Sequence, residues 1–199
     1  DLAPMDLNAR TRMIDQLISR GEVDEAIGEY LEVADIYYRL AELDMARKTY
    51  TNALRVVQQS NADRSWNISI LQRMADIDMQ RLDWKQAMRI FEQIRTLRPD
   101  SSDTRKSLID LNLRLAQQDQ AIAELDNYLS YLNTNNKSDQ IIPFLEELVN
   151  ENEDRVILRR MLAEQYKQAG QTAEAIAQLD AVGEILIEAG KKEEAMNTI

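Results

Sequence analysis

The chain contains no cysteine and no histidine in 199 residues, and only 5 glycines and 3 prolines. Without cysteine and histidine there is no disulfide, no thiol nucleophile, no histidine-based triad and no Cys/His metal site. So few turn formers argue against an all-β fold, which needs many tight turns. No apolar run approaches the roughly 18 residues needed to cross a bilayer. No charged segment followed by an apolar one opens the sequence as a signal peptide would. No glycine-rich loop exists to cradle a nucleotide. Acidic residues outnumber basic ones 35 to 24, for a net charge of −11. Such a chain lacks the basic footprint of a nucleic-acid binder and is repelled by anionic lipid. No nucleophile–base or paired-acid constellation converges. The expectations are therefore no enzymatic activity, no cofactor, no metal, no nucleic acid, no membrane partner and a cytoplasmic location.

What is present is helical periodicity. Hydrophobic residues make up 44% and charged residues 30%, the mixture of a globular protein. Tyr30, Val33, Ala34 and Tyr37 recur at spacings of three and four, as do Leu71, Met74 and Ala75, and then Ala87, Ile90, Phe91, Ile94 and Leu97. Sustained period-two alternation is absent. The pattern predicts ten or eleven helices, near 6–20, 23–40, 43–59, 65–80, 83–97, 102–116, 119–133, 139–151, 154–169, 172–188 and 192–199. Gly21, Gly170 and Gly190 read as C-terminal stops. Asp83, Asp119 and Thr172 read as N-caps. Pro143 falls inside a helical pattern, so that helix starts late or bends.

The chain is also self-similar. Gly21, Gly170 and Gly190 each precede an alanine by five residues, and the register extends through Ala26, Ala46, Ala87, Ala121, Ile141, Ala175 and Ala195. Four residues on stand Tyr30, Tyr50, Phe91, Leu125, Leu145, Leu179 and Ile199; three further on stand Val33, Ala53, Ile94, Tyr128, Leu148 and Val182. The spacings are 20, 41, 34, 20, 34 and 20 residues. Alanine is what a close crossing of two antiparallel helices requires, since axes about 8–10 Å apart leave no room for a large side chain at the contact.

This series resembles the tetratricopeptide repeat, a 34-residue helix–turn–helix unit. The best unit runs from Leu162 through Ala163, Tyr166, Gly170 and Ala175 to Leu179; Met74, Ala75, Ala87, Phe91 and Pro99 form another, and Ala34, Tyr37, Ala46, Tyr50 and Ala53 a third. The family's tryptophan position is held by Tyr30, Leu71, Arg105 and Arg159 instead. At spacings of 20 the second helix of one unit serves as the first of the next, which requires both its flanks to be apolar. The resemblance implies an all-α solenoid of antiparallel helix pairs wound into a right-handed superhelix. It is read as one domain over 1–199, taken from a longer protein, with units near 6–40, 28–60, 68–100, 102–134, 139–151 with 154–188, and a partial 192–199. Lys192 to Ile199 is expected to leave an apolar face for a capping helix.

In this family the outward face of each first helix lines a concave groove that holds peptides. The candidate partner-binding residues are Leu31, Asp35, Tyr38, Gln72, Asp76, Met79, Lys106, Asp110, Arg114, Arg160, Glu164 and Lys167. The central position is acidic throughout: Asp35, Asp76, Asp110 and Glu164. An acidic stripe favours a cationic or amide-rich segment through charge complementarity. Helical pairs four apart (Asp35 with Arg39, Lys106 with Asp110, Asp110 with Arg114, Arg160 with Glu164) offer the same residues a purely structural role. Residues 133–139 look briefly like a calcium loop but lack its central glycine and closing glutamate. Asp76 and Asp78 lie on different helix faces and do not chelate. The leading expectation is a non-enzymatic scaffold binding a protein or peptide. A regulatory or sensor module of a signalling protein, and an assembly protein multimerising through open ends, remain as alternatives.

Overall fold

The computed structural model describes residues 4–60, 62–63 and 65–198. The described residues form eleven α-helices and no strand: α1 Pro4–Arg20, α2 Val23–Arg39, α3 Leu43–Gln59, α4 Ser65–Gln80, α5 Trp84–Leu97, α6 Ser102–Arg114, α7 Gln118–Thr134, α8 Ile141–Glu151, α9 Val156–Gln168, α10 Thr172–Glu188 and α11 Lys192–Met196. The chain divides into two compact units, Asp1–Ala121 and Ile122–Ile199. In the first, each of α1 to α6 packs on its neighbour in sequence. In the second, α8 to α11 do the same, and Tyr128 of α7 meets Phe144 of α8 edge to face with ring centroids 4.7 Å apart.

A recurring reversal builds both units. Gly21, Ala41, Leu82, Ala116, Asn136, Gly170 and Gly190 all hold positive φ, between 56° and 79°. At each, the next residue's N–H bonds a carbonyl five residues back and the left-handed residue's own N–H bonds one three back. Glu22 with Leu17, Glu42 with Tyr37, Asp83 with Asp78 and Lys191 with Leu186 are examples at 2.8–3.0 Å. This paired closure satisfies carbonyls that a helix end would otherwise leave bare. Only three of the seven positions carry the glycine that makes the geometry cheap. Five residues beyond each stand Ala26, Ala46, Ala87, Ala121, Ile141, Ala175 and Ala195, all buried. The alanine spacing of the sequence is thus the spacing of the reversals themselves.

α2 behaves as the short spacing from Ala26 to Ala46 implies. α2 presents Ala26 and Val33 to Ile14 of α1, and Ile27 and Ala34 to a larger cluster holding Ala46, Tyr50 and Ala53 of α3 with Leu71, Met74 and Ala75 of α4. Polar bonds tie α3 to α4 as well. Arg47 Nε donates to Asp78 Oδ1 at 3.0 Å and Oδ2 at 3.2 Å, and its Nη2 to Oδ2 at 3.0 Å. Asp78 is only 3% exposed, so this bidentate pair supplies the partner its burial demands.

Local expectations fare unevenly. Asp83 caps α5, accepting from the Gln86 N–H at 3.3 Å. Asp119 and Thr172 are not caps: α7 begins at Gln118 and α10 at Thr172, preceded by Gln171, which makes no side-chain cap bond. The tight reversal fixes each start, leaving these residues inside the first turn. Pro143 is the third residue of α8, after a 3₁₀ turn at Ser138–Gln140; its missing N–H falls among those a helix start leaves unbonded. Ile199 of the expected partial unit lies outside the described residues.

Ala41→Gly, Leu82→Gly and Ala116→Gly should each raise unfolding stability by about 1 kcal/mol, since only the left-handed penalty is relieved, and Gly170→Ala should lower it by a similar amount. Urea midpoints at unchanged slope measure both. Asp78→Ala should cost about 3 kcal/mol in the same assay, because the Arg47 guanidinium loses the carboxylate it grips in a mostly buried site.

Candidate functional site

Side-chain bonds join α2 directly to α4: Gln80 Nε2 donates to the Tyr38 hydroxyl at one end, and Trp66 Nε1 donates to Asp24 Oδ1 at 2.9 Å at the other. Beside the Gln80–Tyr38 bond, Glu32, Asp35, Tyr38, Arg39 and Arg73 line a cavity of about 310 Å³. Its charge is mixed, with two carboxylates and two guanidinium groups. Asp35 is positioned from behind, where the Tyr50 hydroxyl of α3 donates to its Oδ1. Burial first, and then this bond to a carboxylate, push the Tyr50 hydroxyl well above the ordinary tyrosine range. Arg39 turns its Nε to the Asp35 backbone carbonyl at 3.3 Å, so the expected Asp35–Arg39 pair is a side-chain-to-backbone contact.

Asp76 lies on the same α4 face. Partial desolvation raises its carboxyl above the usual range, and the Arg73 guanidinium one turn away pulls it back. Leu31 is half-buried and packs on the main apolar cluster. Gln72 is exposed and Met79 half-buried. On α6, Asp110 accepts from Arg114 Nε at 2.6 Å, and the Arg114 guanidinium stands 5.3 Å from the centroid of the Trp84 ring of α5. Lys106 reaches Asp103 at 3.4 Å, three residues back.

The remaining candidates belong to the second unit. Arg160 Nη2 donates to Thr198 Oγ1 at 3.3 Å, Glu164 Oε1 accepts from Gln168 Nε2 at 3.1 Å, and Lys167 is exposed. Glu164 therefore takes Gln168 where Arg160 was expected. In the first unit the structure brings Asp35 and Tyr38 together with Glu32 and Arg73, two residues the sequence did not single out. Arg73 could have been found from its place three residues before Asp76 on one helix face. Asp78 points away from Asp76 into its bond with Arg47, so the two acids do not converge. Among the described residues no helix is long and apolar enough to cross a membrane, and no cluster of acids is arranged to hold a metal ion.

The sequence model of SNAP, soluble NSF attachment protein, matches residues 6–155. The chain belongs to the soluble NSF attachment protein family. No curated protein matches this SNAP-family chain. Among solved structures it is similar to BtubC (BKLC) from P. vanneervenii, at 14% identity and TM-score 0.54, with 97% of this chain and 86% of that one covered. MamA aligns at 16% identity and TM-score 0.47, covering 87% and 97% of the two chains. YrrB, a TPR protein with an unusual peptide-binding site, aligns at 15% and 0.44, covering 92% and 97%. The tetratricopeptide-like helical-repeat fold expected from the residue pattern is the fold of the SNAP-family chain. Family and architecture place it among protein-interaction scaffolds.

Asp76→Asn should stabilise the folded SNAP-family chain slightly at pH 7. The raised carboxyl favours the protonated state on folding, so ionised Asp76 opposes folding above its folded value. Below the ordinary aspartate value of 3.8 the carboxyl is neutral in both states, and the advantage of asparagine should vanish. Paired denaturation curves from pH 3 to pH 8 measure this.

Proposed function

We propose that this SNAP-family protein is a non-enzymatic adaptor that holds a segment of another polypeptide on the outward face of α2 and α4. The observation that carries the reading is the cavity where Glu32, Asp35, Tyr38, Arg39 and Arg73 converge between two helices joined through Tyr38 and Gln80. Tyr50 holds Asp35 in place and leaves its second carboxylate oxygen for a ligand. Asp76 on α4 and Asp110 on α6 extend the acidic character beyond the cavity. The preferred segment is cationic or amide-rich: its N–H groups meet Asp35 and Asp76, while Arg39 and Arg73 take its backbone carbonyls. Specificity comes from charge and hydrogen-bond matching more than from buried area. The family's description, attachment to NSF, supports an adaptor role. Lys106 and Arg114 of the first unit are proposed as secondary contacts; Arg160, Glu164 and Lys167 are proposed only as contacts of the second unit by itself.

Peptide display against the purified chain tests the site. Sequences rich in Lys, Arg, Asn and Gln should be enriched, and Asp35→Asn/Asp76→Asn/Asp110→Asn should weaken the selected peptides about tenfold. Asparagine at 35 still accepts from Tyr50, so the fold survives the change. Enrichment of acidic sequences, or unchanged affinity for the triple variant, overturns the reading.

A further inference from the structure

The α2–α4 cavity holds charges of both signs that do not neutralise one another. Glu32, Asp35, Arg39 and Arg73 all line it, yet no ion pair joins any two of them. Among the described residues Glu32 and Arg73 form no side-chain hydrogen bond or ion pair. Arg39 spends only its Nε, on the Asp35 backbone carbonyl at 3.3 Å. Asp35 spends one carboxylate oxygen on the Tyr50 hydroxyl. Acceptors therefore stay free on Glu32 and Asp35, and N–H groups stay free on Arg39 and Arg73. A cavity that keeps its acids and guanidinium groups apart is complementary to a group that answers both.

Three kinds of polypeptide group compete for that description, and their chemistry separates them. A lysine or arginine side chain carries its charge at the tip of an apolar stem with no acceptor beside it. It satisfies the carboxylates and leaves both guanidinium groups bare. A mid-chain peptide unit offers N–H and C=O together, but it is neutral and meets the carboxylates without charge. An N-terminal residue offers a positive α-ammonium at pH 7, with its own carbonyl on the adjoining backbone atom. One residue then answers both signs of the cavity through charge-assisted bonds. The Tyr38 ring, whose hydroxyl is held by Gln80 of α4, gives the cation an aromatic neighbour.

We propose that the α2–α4 cavity receives the free N-terminus of a polypeptide. Glu32 and the second Asp35 oxygen accept from its α-ammonium. Arg39 and Arg73 donate to the backbone carbonyls that follow. This rests on the reading of α2 and α4 as a polypeptide-binding face and adds that the segment held there is a chain end.

The hexapeptide Ala-Gln-Asn-Lys-Gln-Asn, carrying a fluorescent amide at its C-terminus, is the probe. With a free α-amine it should bind the purified chain saturably in fluorescence anisotropy. N-acetylation should weaken it about tenfold, although the lysine and the side-chain amides are kept. Glu32→Gln changes an exposed side chain with no bond to lose; it should weaken the free-amine form about threefold and spare the acetylated form. Asp35→Asn, which still accepts from Tyr50, should narrow the difference between the two forms further. Arg73→Gln should weaken both forms alike.

Equal binding of the two forms overturns the assignment of a chain end. If Asp35→Asn nonetheless weakens both, the polypeptide-binding face survives; if it weakens neither, that reading falls too. Failure of the free-amine form to bind saturably also overturns the chain end and leaves the face to the display experiment. A difference between the forms that Glu32→Gln and Asp35→Asn leave intact places the terminus elsewhere and has the same effect. Displacement of the probe by L-alanine at the concentration where unlabelled hexapeptide displaces it assigns the cavity to free amino acids and overturns the polypeptide source.

Discussion

A helix that ends in a left-handed residue turns back on itself at once, and the next helix must cross it closely. In this chain that reversal occurs at seven positions among the described residues, and five residues later a buried side chain, alanine in six of the seven, sits at the crossing. A larger group there would push the axes apart and cost about 1–3 kcal/mol in overpacking. Because the turn sets the phase of the following helix, it also sets which residues face the apolar cluster and which face outward. Asp35, Tyr38 and Arg73 reach one cavity because their helices were phased by Gly21, Ala41 and the α3–α4 packing. The outward face is a consequence of the turn register.

Charged and polar contacts then fix the relations between successive helices. Arg47 and Asp78 bind α3 to α4 through a bidentate pair in a mostly buried place. Tyr38 and Gln80 bind α2 to α4, and Tyr50 reaches from α3 to Asp35. Aliphatic clusters tolerate sliding by a fraction of a turn; these directional bonds do not. The outward face is accordingly held from below by a network that includes Asp35, engaged on one oxygen by the Tyr50 hydroxyl.

Much of the fold was legible beforehand. The alanine register marked every reversal, and the helix spans match the observed ones within two residues at most ends. The double role of α2 followed from Ala26, Ile27, Val33 and Ala34 lying on two flanks. The left-handed conformation of Ala41, Leu82 and Ala116 was not legible, because those residue types rarely adopt it and only the surrounding hydrogen bonds enforce it; at Asn136 the residue type itself tolerates it. Asp119 and Thr172 looked like caps for the same reason in reverse: good capping chemistry yields to a turn already closed by backbone bonds. Of the outward face, Arg39 was legible four residues after Asp35 on the same helix, but Arg73 beside Asp35 was not, since its placement depends on where α4 lies against α2.

Periodicity and small-residue spacing alone determined that the described residues are all helical, in ten or eleven helices, and where their apolar stripes fall, because 3.6-residue periodicity and close crossing leave little choice of residue type. Contacts between residues some 15 to 42 apart were decided only by the tertiary structure: Tyr50 with Asp35, Arg47 with Asp78, Trp66 with Asp24, Tyr38 with Gln80. Such bonds depend on the rotation of one helix about another. A local sequence pattern specifies a helix's own face but carries no measure of that rotation.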